Sequence, residues 1–191
     1  IQEWRDLAND PHPRVRLETI RACAKFAERL RQFGIDKPDN SIAVKGIETA
    51  MLALDHPMDR MLDYALWLTV RELEPYWMPE FQAGKLTFGG DAKKLAFALN
   101  AVGNKDTVKP VLALIDGGKI PKENLHGLHL LLTQIGGPEE LGRVLKHAGA
   151  KEATVADRVA LLAAVEEAAR TRRIAAPPKA GDLIGALSGE G

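Results

Sequence analysis

The chain has 191 residues, 46% of them apolar, and its 26 basic side chains balance 26 acidic ones, so the formal charge is zero. That length and apolar content suffice for a buried core and exclude a disordered tail, while the charge balance removes the bulk field that draws basic proteins to nucleic acid or anionic membranes. No apolar run approaches the length of a membrane span, and the polar opening IQEWRDLAND does not read as a signal peptide.

The first predicted helix covers about residues 2–9. The chain starts without Met inside it, so the expectation is a piece of a larger protein, with any targeting signal outside it. DPHPRVR, residues 10–16, then opens a second helix, predicted over about 13–33. Pro13 stands in its first turn, where a missing N–H does no harm, and Asp10 can accept backbone N–H bonds as the chain turns. Arg14, Glu18, Arg21, Lys25 and Glu28 share one face with alternating sign, the pattern of a solvated, self-paired surface. Cys23, among Ile20, Ala24 and Ala27, reads as a small buried apolar residue. As the sole cysteine it can form no intrachain disulfide, so thiol usage does not identify a compartment. DNSIAVK after Pro38 marks a break, and a helix over about 41–54 follows with Ile47, Met51 and Leu54 on one face.

LDHPMDRMLDYALWLTVRELEPYW, residues 54–77, repeats the earlier turn. Aligning His12-Pro13 with His56-Pro57 places Arg16 over Arg60 at an offset of 44 residues, inside the range of HEAT and armadillo units. Pro57 and Asp55 take the parts of Pro13 and Asp10. Helices are predicted over about 57–74 and 76–83, separated at Pro75. Met58, Met61, Leu62, Ala65, Leu66, Thr69 and Leu73 form the predicted core stripe, which leaves Arg60, Asp63, Tyr64, Trp67, Arg71 and Glu74 on another face. Two readings of that face stand side by side. Tyr, Trp and Arg supply most interface hot spots, so the strip could grip a partner. Alternatively, Arg60 and Asp63 bridge neighbouring repeats, while Trp67 and Trp77 cap the core between hairpins with their N–H groups satisfied. His12 and His56 recur at a structural position with no second metal ligand at a useful spacing, which argues for work in the turns.

LTFGGD, residues 86–91, carries two glycines before a helix predicted over about 91–102, with Asp91 as its N-cap. Further helices are predicted over about 105–116, 122–135, 138–148, 153–173 and 180–188, with a second break at APPK near Pro177. AVGNKDTVKPVLAL, from Ala101, echoes QIGGPEELGRVLKH, from Gln134, setting Gly103 over Gly136. Both glycines end helices where a left-handed residue is wanted, and Pro138 opens the next helix. Apolar positions recur at three and four as Leu95, Leu99 and Val102; Leu128, Leu131, Leu132 and Ile135; and Val159, Leu162 and Val165. His126 and His129, three apart, suit part of a metal site, but no HExxH motif or carboxylate partner accompanies them. The basic run ARTRR, 169–173, lies at a helix C-terminus, where cations favour the dipole.

DPHPRVRLETIRA, ALDHPMDRMLDYALWLTVRELEPYW, LTFGGD and LAFALNAVG together resemble the HEAT-repeat region of large PVC-type haem-binding CxxCH proteins, multidomain bacterial chains labelled membrane-bound dehydrogenases. The likeness covers roughly residues 5–150 and implies architecture more than activity. It implies a parent with a propeller-like domain, a helical array and a c-type cytochrome domain, exported to the periplasm or cell envelope. This chain departs from the last part: Cys23 is followed by AKF, so no CxxCH is present and covalent haem attachment is excluded here.

The expectation is therefore an all-α chain, a HEAT-like α-solenoid of about four to five helical hairpins forming one domain over 1–191. Its expected role is that of a non-enzymatic scaffold that positions flanking domains of the parent or presents a face to a protein partner, without cofactor, metal or nucleic acid. Arg60, Asp63, Tyr64, Trp67 and Arg71, with Trp77 at the edge, are the expected partner-binding residues. Two other classes remain: a HEAT-like enzyme that excises alkylated bases from DNA, marked by salt-dependent duplex binding, and an accessory module that docks a cytochrome c domain, marked by a CxxCH elsewhere in the parent.

Overall fold

The computed structural model describes residues 2–32, 40–103, 107–118, 120–151 and 153–174. Among these residues there is no strand, and nine α-helices follow in order: α1 Gln2–Ala8, α2 Pro13–Gln32, α3 Asn40–Ala50, α4 Arg60–Gln82, α5 Ala92–Val102, α6 Val108–Asp116, α7 Lys122–Ile135, α8 Pro138–Ala148 and α9 Val155–Thr171. Short 3-10 turns cover Met51–Asp55 and Phe88–Gly90. The expected breaks at Pro38 and Pro177 and the helix read at 180–188 lie outside the described residues. No described helix is long and apolar enough to cross a membrane. The helices gather into two compact units, residues 1–104 and 105–191, where the sequence reads as one continuous array.

In the first unit α1 packs on α2 and α3 on α4, α2 lies along α4, and α1 touches α3. The packing follows from the apolar faces. Ile20 of α2, Ile47 of α3, and Leu62, Leu66, Val70 and Leu73 of α4 are all buried. Gly46 faces both long helices, where a Cβ would lie 3.9 Å from Cys23 O of α2 and 3.9 Å from Leu73 Cδ1 of α4, an ordinary contact that leaves room for a small side chain. The Thr69 hydroxyl of α4 is satisfied in this otherwise apolar seam by Ala65 O of its own helix at 2.9 Å, with Ile20 O of α2 a second acceptor at 3.3 Å.

The turns of successive hairpins are tied together. Asp10 Oδ1 accepts the His12 N–H at 2.7 Å, as its turn position suggests. Arg16, only 3% exposed, donates to Asp10 O at 2.7 Å, to Pro11 O at 3.0 Å and to Pro57 O in the following turn at 3.1 Å. His56 Nε2 pairs with Asn9 Oδ1 at 3.2 Å across the same two turns. From α5, Lys94 Nζ reaches Asp55 Oδ2 at 2.8 Å, and Lys93 donates to Leu54 O.

Helix α4 departs from the sequence reading at both ends. It starts at Arg60, not Pro57, because Asp59 Oδ1 accepts the N–H groups of Met61 and Leu62, each at 2.8 Å. It then runs unbroken through Pro75 and Pro79 for 23 residues, where two helices split at Pro75 were expected. Each proline withdraws one donor from the ladder, yet the buried side continues past both as Leu73, Trp77, Met78 and Phe81, and that packing keeps the helix together. Met61, assigned to the core stripe, is instead 56% exposed; the buried stripe passes through Leu62, Ala65, Leu66, Thr69, Val70 and Leu73.

In the second unit α7, α8 and α9 pack against one another and α6 packs on α7. Leu128, Leu131 and Leu132 meet Leu141, Val144 and Leu145 with Leu161 and Val165 in this core. Pro138 opens α8 as expected, with Glu140 Oε2 accepting the Gly137 N–H at 2.7 Å. Arg143 of α8 holds Asp116 of α6 through both carboxylate oxygens at 3.0 Å, and Arg172 donates to Thr133 O of α7 at 2.8 Å.

Two readings fail here. Gly103 is left-handed at φ 61 as expected, but Gly136 is extended at φ −78, ψ 165. Gly136 is required for room, since a Cβ there would stand 2.4 Å from Glu140 Cβ and 2.8 Å from Leu132 O. Val159, expected in the core, is 62% exposed, because α9 turns Leu161, Val165 and Ala168 inward.

Candidate functional site

Arg60, Asp63, Tyr64 and Arg71 are exposed on α4 and Trp67 is half-buried beside them. The Tyr64 and Trp67 rings lie 6.2 Å apart and 13° from parallel, and the Arg71 guanidinium carbon sits 4.6 Å from the centre of the Trp67 ring. Helical spacing explains the order: residues three and four apart share one line, so phenol, indole and guanidinium follow one another along the helix. Trp67 is thus held between a π face and a cation, an arrangement that contributes about 0.5–1 kcal/mol at an exposed site and fixes the ring in one orientation. Tyr64 is 58% exposed and forms the open end of the ladder. Arg60 and Asp63 make no ion pair among the described residues.

Trp77 does not belong to this line. It is 0% exposed, its Nε1–H donates to Val70 O at 2.9 Å, and its ring takes Phe81 and Phe88 edge-on at 6.3 and 5.9 Å. Placing Trp77 at the edge of a binding surface is therefore corrected: one hundred degrees of rotation per residue carries position 77 from the face of Trp67 to the core side. LTFGGD serves the same aromatic cluster. Phe88 inserts at φ 48 and Gly89 follows at φ 66, closing a tight turn under Trp77, while Asp91 Oδ1 caps α5 by accepting the Lys93 and Lys94 N–H groups at 2.9 and 3.2 Å.

Beside the ladder, a groove of about 570 Å³ runs between α2 and α4, with Met61, Tyr64 and Leu68 on one wall and Arg21, Lys25 and Glu28 on the other. The α2 wall is self-paired, with Glu18 Oε1 3.0 Å from Arg14 and 3.2 Å from Arg21. Both sides combine apolar and charged groups without a nucleophile and base pair. Cys23 lies beneath this region, 2% exposed, and burial pushes its thiol pKa up to about 12, so the reactive thiolate is suppressed at neutral pH.

A second cluster forms in the other unit. The sequence pairs His126 with His129, but the structure joins His129 of α7 to His147 of α8, their rings stacked 3.7 Å apart and 3° from parallel. His129 Nδ1 lies 2.7 Å from Leu125 O. Burial holds His129 below the ordinary imidazole pKa, His147, His126 and Arg143 add to that, and only the Leu125 carbonyl opposes it. His126 turns toward Asp157 of α9, with Nδ1 3.3 Å from Oδ1. A metal ion lies near the plane of any imidazole that ligates it, and two parallel planes do not meet at one ion, so the stack is no chelate. Among the described residues no group of three or more His, Cys, Asp or Glu could hold a metal ion.

The buried Arg16 clasp and the His129–His147 stack are absent from the sequence reading. Arg16 carried a signal, its first-turn position beside a repeated turn. The stack carried none, because it depends on the register between two helices. No protein-family model matches the chain, and neither a curated protein nor a solved structure resembles it at a significant level.

Proposed function

We propose that the chain is a non-enzymatic helical-repeat module of HEAT type that docks a protein partner through Arg60, Asp63, Tyr64, Trp67 and Arg71. The observation that carries this reading is the exposed Tyr64, Trp67 and Arg71 ladder, since an ordered aromatic and guanidinium row offers much contact area with little side-chain entropy left to lose. The repeat reading draws on the first unit, where α1 and α2 stack on α3 and α4 first helix to first and second to second, with Arg16 and His56 joining consecutive turns. Extended along the chain, that pattern gives about four to five hairpins. The sequence resemblance to the array of PVC-type CxxCH proteins suggests a parent in which such a module sits between other domains. The test is a photo-crosslinking residue placed at Tyr64 and, as control, at the exposed Glu139, in cells that make the parent protein. A discrete adduct from position 64 alone, lost when Trp67→Ala is added, is the expected result; equal adducts from both positions would overturn the strip as a docking site.

A further inference from the structure

We propose that the outer face of α1 and α2, turned away from α3 and α4, seats one more helical hairpin of the parent protein, stacked there as α1 and α2 are stacked on α3 and α4. A groove of about 360 Å³ opens on this face, with Trp4 and Leu7 of α1 on one side and Val15, Thr19 and Ala22 of α2 on the other. Leu7 is 46% exposed, and the Thr19 hydroxyl is turned back to Val15 O of its own helix at 2.9 Å, so the groove offers mostly apolar surface. Such a surface gains most from a matching apolar one.

The seam already formed in the first unit fixes what fits. On its α4 wall stand Met61, Ala65 and Thr69, facing α2, and the Thr69 hydroxyl touches Ile20 O across it. Counted from the first residue of the helix, these are positions two, six and ten of α4. Positions two, six and ten of α2 are Arg14, Glu18 and Ala22, and all three border the open groove. Helix α2 thus turns outward the same line by which α4 receives α2. A second helix can lie along α2 as α2 lies along α4, with its first helix beside α1.

The rim sets the chemistry of the incoming pair. Glu18 Oε1 lies 3.0 Å from Arg14 and 3.2 Å from Arg21, so one carboxylate serves two guanidiniums and a positive charge is left over. The hairpin therefore carries an apolar stripe at spacings of three and four to fill the groove, and an acidic side chain in its second helix opposite Arg14. This occupant rests on the repeat part of the proposed function and does not depend on the Tyr64 row.

A photo-crosslinking residue at Leu7 in the parent protein tests this, with the digested adduct sequenced by mass spectrometry. The expected result is a bond within one polypeptide, from position 7 to a segment outside residues 1–191 that bears the apolar stripe. An adduct within residues 1–191, with a second copy or with another protein, or no adduct at all, would overturn the proposal. Amide hydrogen exchange gives a second reading. Leu7→Asp should leave the protection of α1 and α2 unchanged in the 191-residue chain, where the side chain is exposed, and lower it severalfold in the parent. Thr69→Arg, inside the seam between α2 and α4, should lower protection in both. If Leu7→Asp is silent in both while Thr69→Arg is not, the extra hairpin is refuted and the observed stack stands. If Thr69→Arg has no effect in either, the repeat reading itself fails and the extra hairpin with it.

Discussion

All three Trp, both Tyr and all five Phe residues lie before residue 104, and the second unit is built from aliphatic side chains with no aromatic ring except histidine. Both units use helices joined by short capped turns, yet they close their seams differently. The first places Trp77, Phe81 and Phe88 as bulky plugs behind α4 and leaves Tyr64 and Trp67 outside as an ordered row. The second fills its seam with leucine and valine and inserts a flat pair of imidazoles where a plug would stand. An aromatic plug carries no ionisable group and an imidazole pair carries two, so the same packing task is met with different chemistry in the two units.

The sharpest way to break that comparison is at the plug. Trp77→Ala removes a fully buried ring and leaves Val70 O without its indole donor, and should lower the unfolding free energy of the first unit by about 4 kcal/mol in a urea titration. A smaller effect separates the two arginines that the repeat sets in register. Arg16→Met deletes three bonds to backbone carbonyls and should cost about 2 kcal/mol, whereas Arg60→Met, on an exposed site, should change stability by less than about 0.5 kcal/mol. Equal costs at positions 16 and 60 would mean that the turns are not tied as described. The smallest effect belongs to the outer row. Trp67→Ala should cost no more than about 1 kcal/mol in the same titration, because it removes one cation–π contact and partial burial.

Much of the fold was legible because its signals are local. Asp91 and Gly103 bracket α5, and Pro138 starts α8, each through a cap or turn that needs only its nearest neighbours. The failures share a cause in packing between elements. Pro75 reads as a break by its missing donor, and only the buried residues beyond it show why α4 continues. Val159 reads inward because Val159, Leu162 and Val165 recur at a spacing of three, and only the packing of Leu161, Val165 and Ala168 shows which of two neighbouring lines on α9 faces the core. For the candidate strip, the helical spacing of Tyr64, Trp67 and Arg71 was readable from the sequence, and the ring geometry confirms that the three side chains meet. Trp77, ten positions beyond Trp67, is turned by helical rotation to the core side, so of its two readings the one that puts it in the core with its N–H satisfied holds, and only the Phe88 contact beneath it lies beyond the sequence.

The proposed division of α4 between an inner aromatic plug and an outer docking row is tested most directly by one paired measurement. Take the partner captured at Tyr64 and measure its affinity and the unfolding free energy together for a chain carrying both Trp67→Ala and Arg71→Ala. A loss of about tenfold or more in affinity, with stability lowered by no more than about 1.5 kcal/mol, is the predicted result. Unchanged affinity together with a loss of several kcal/mol in stability would contradict it.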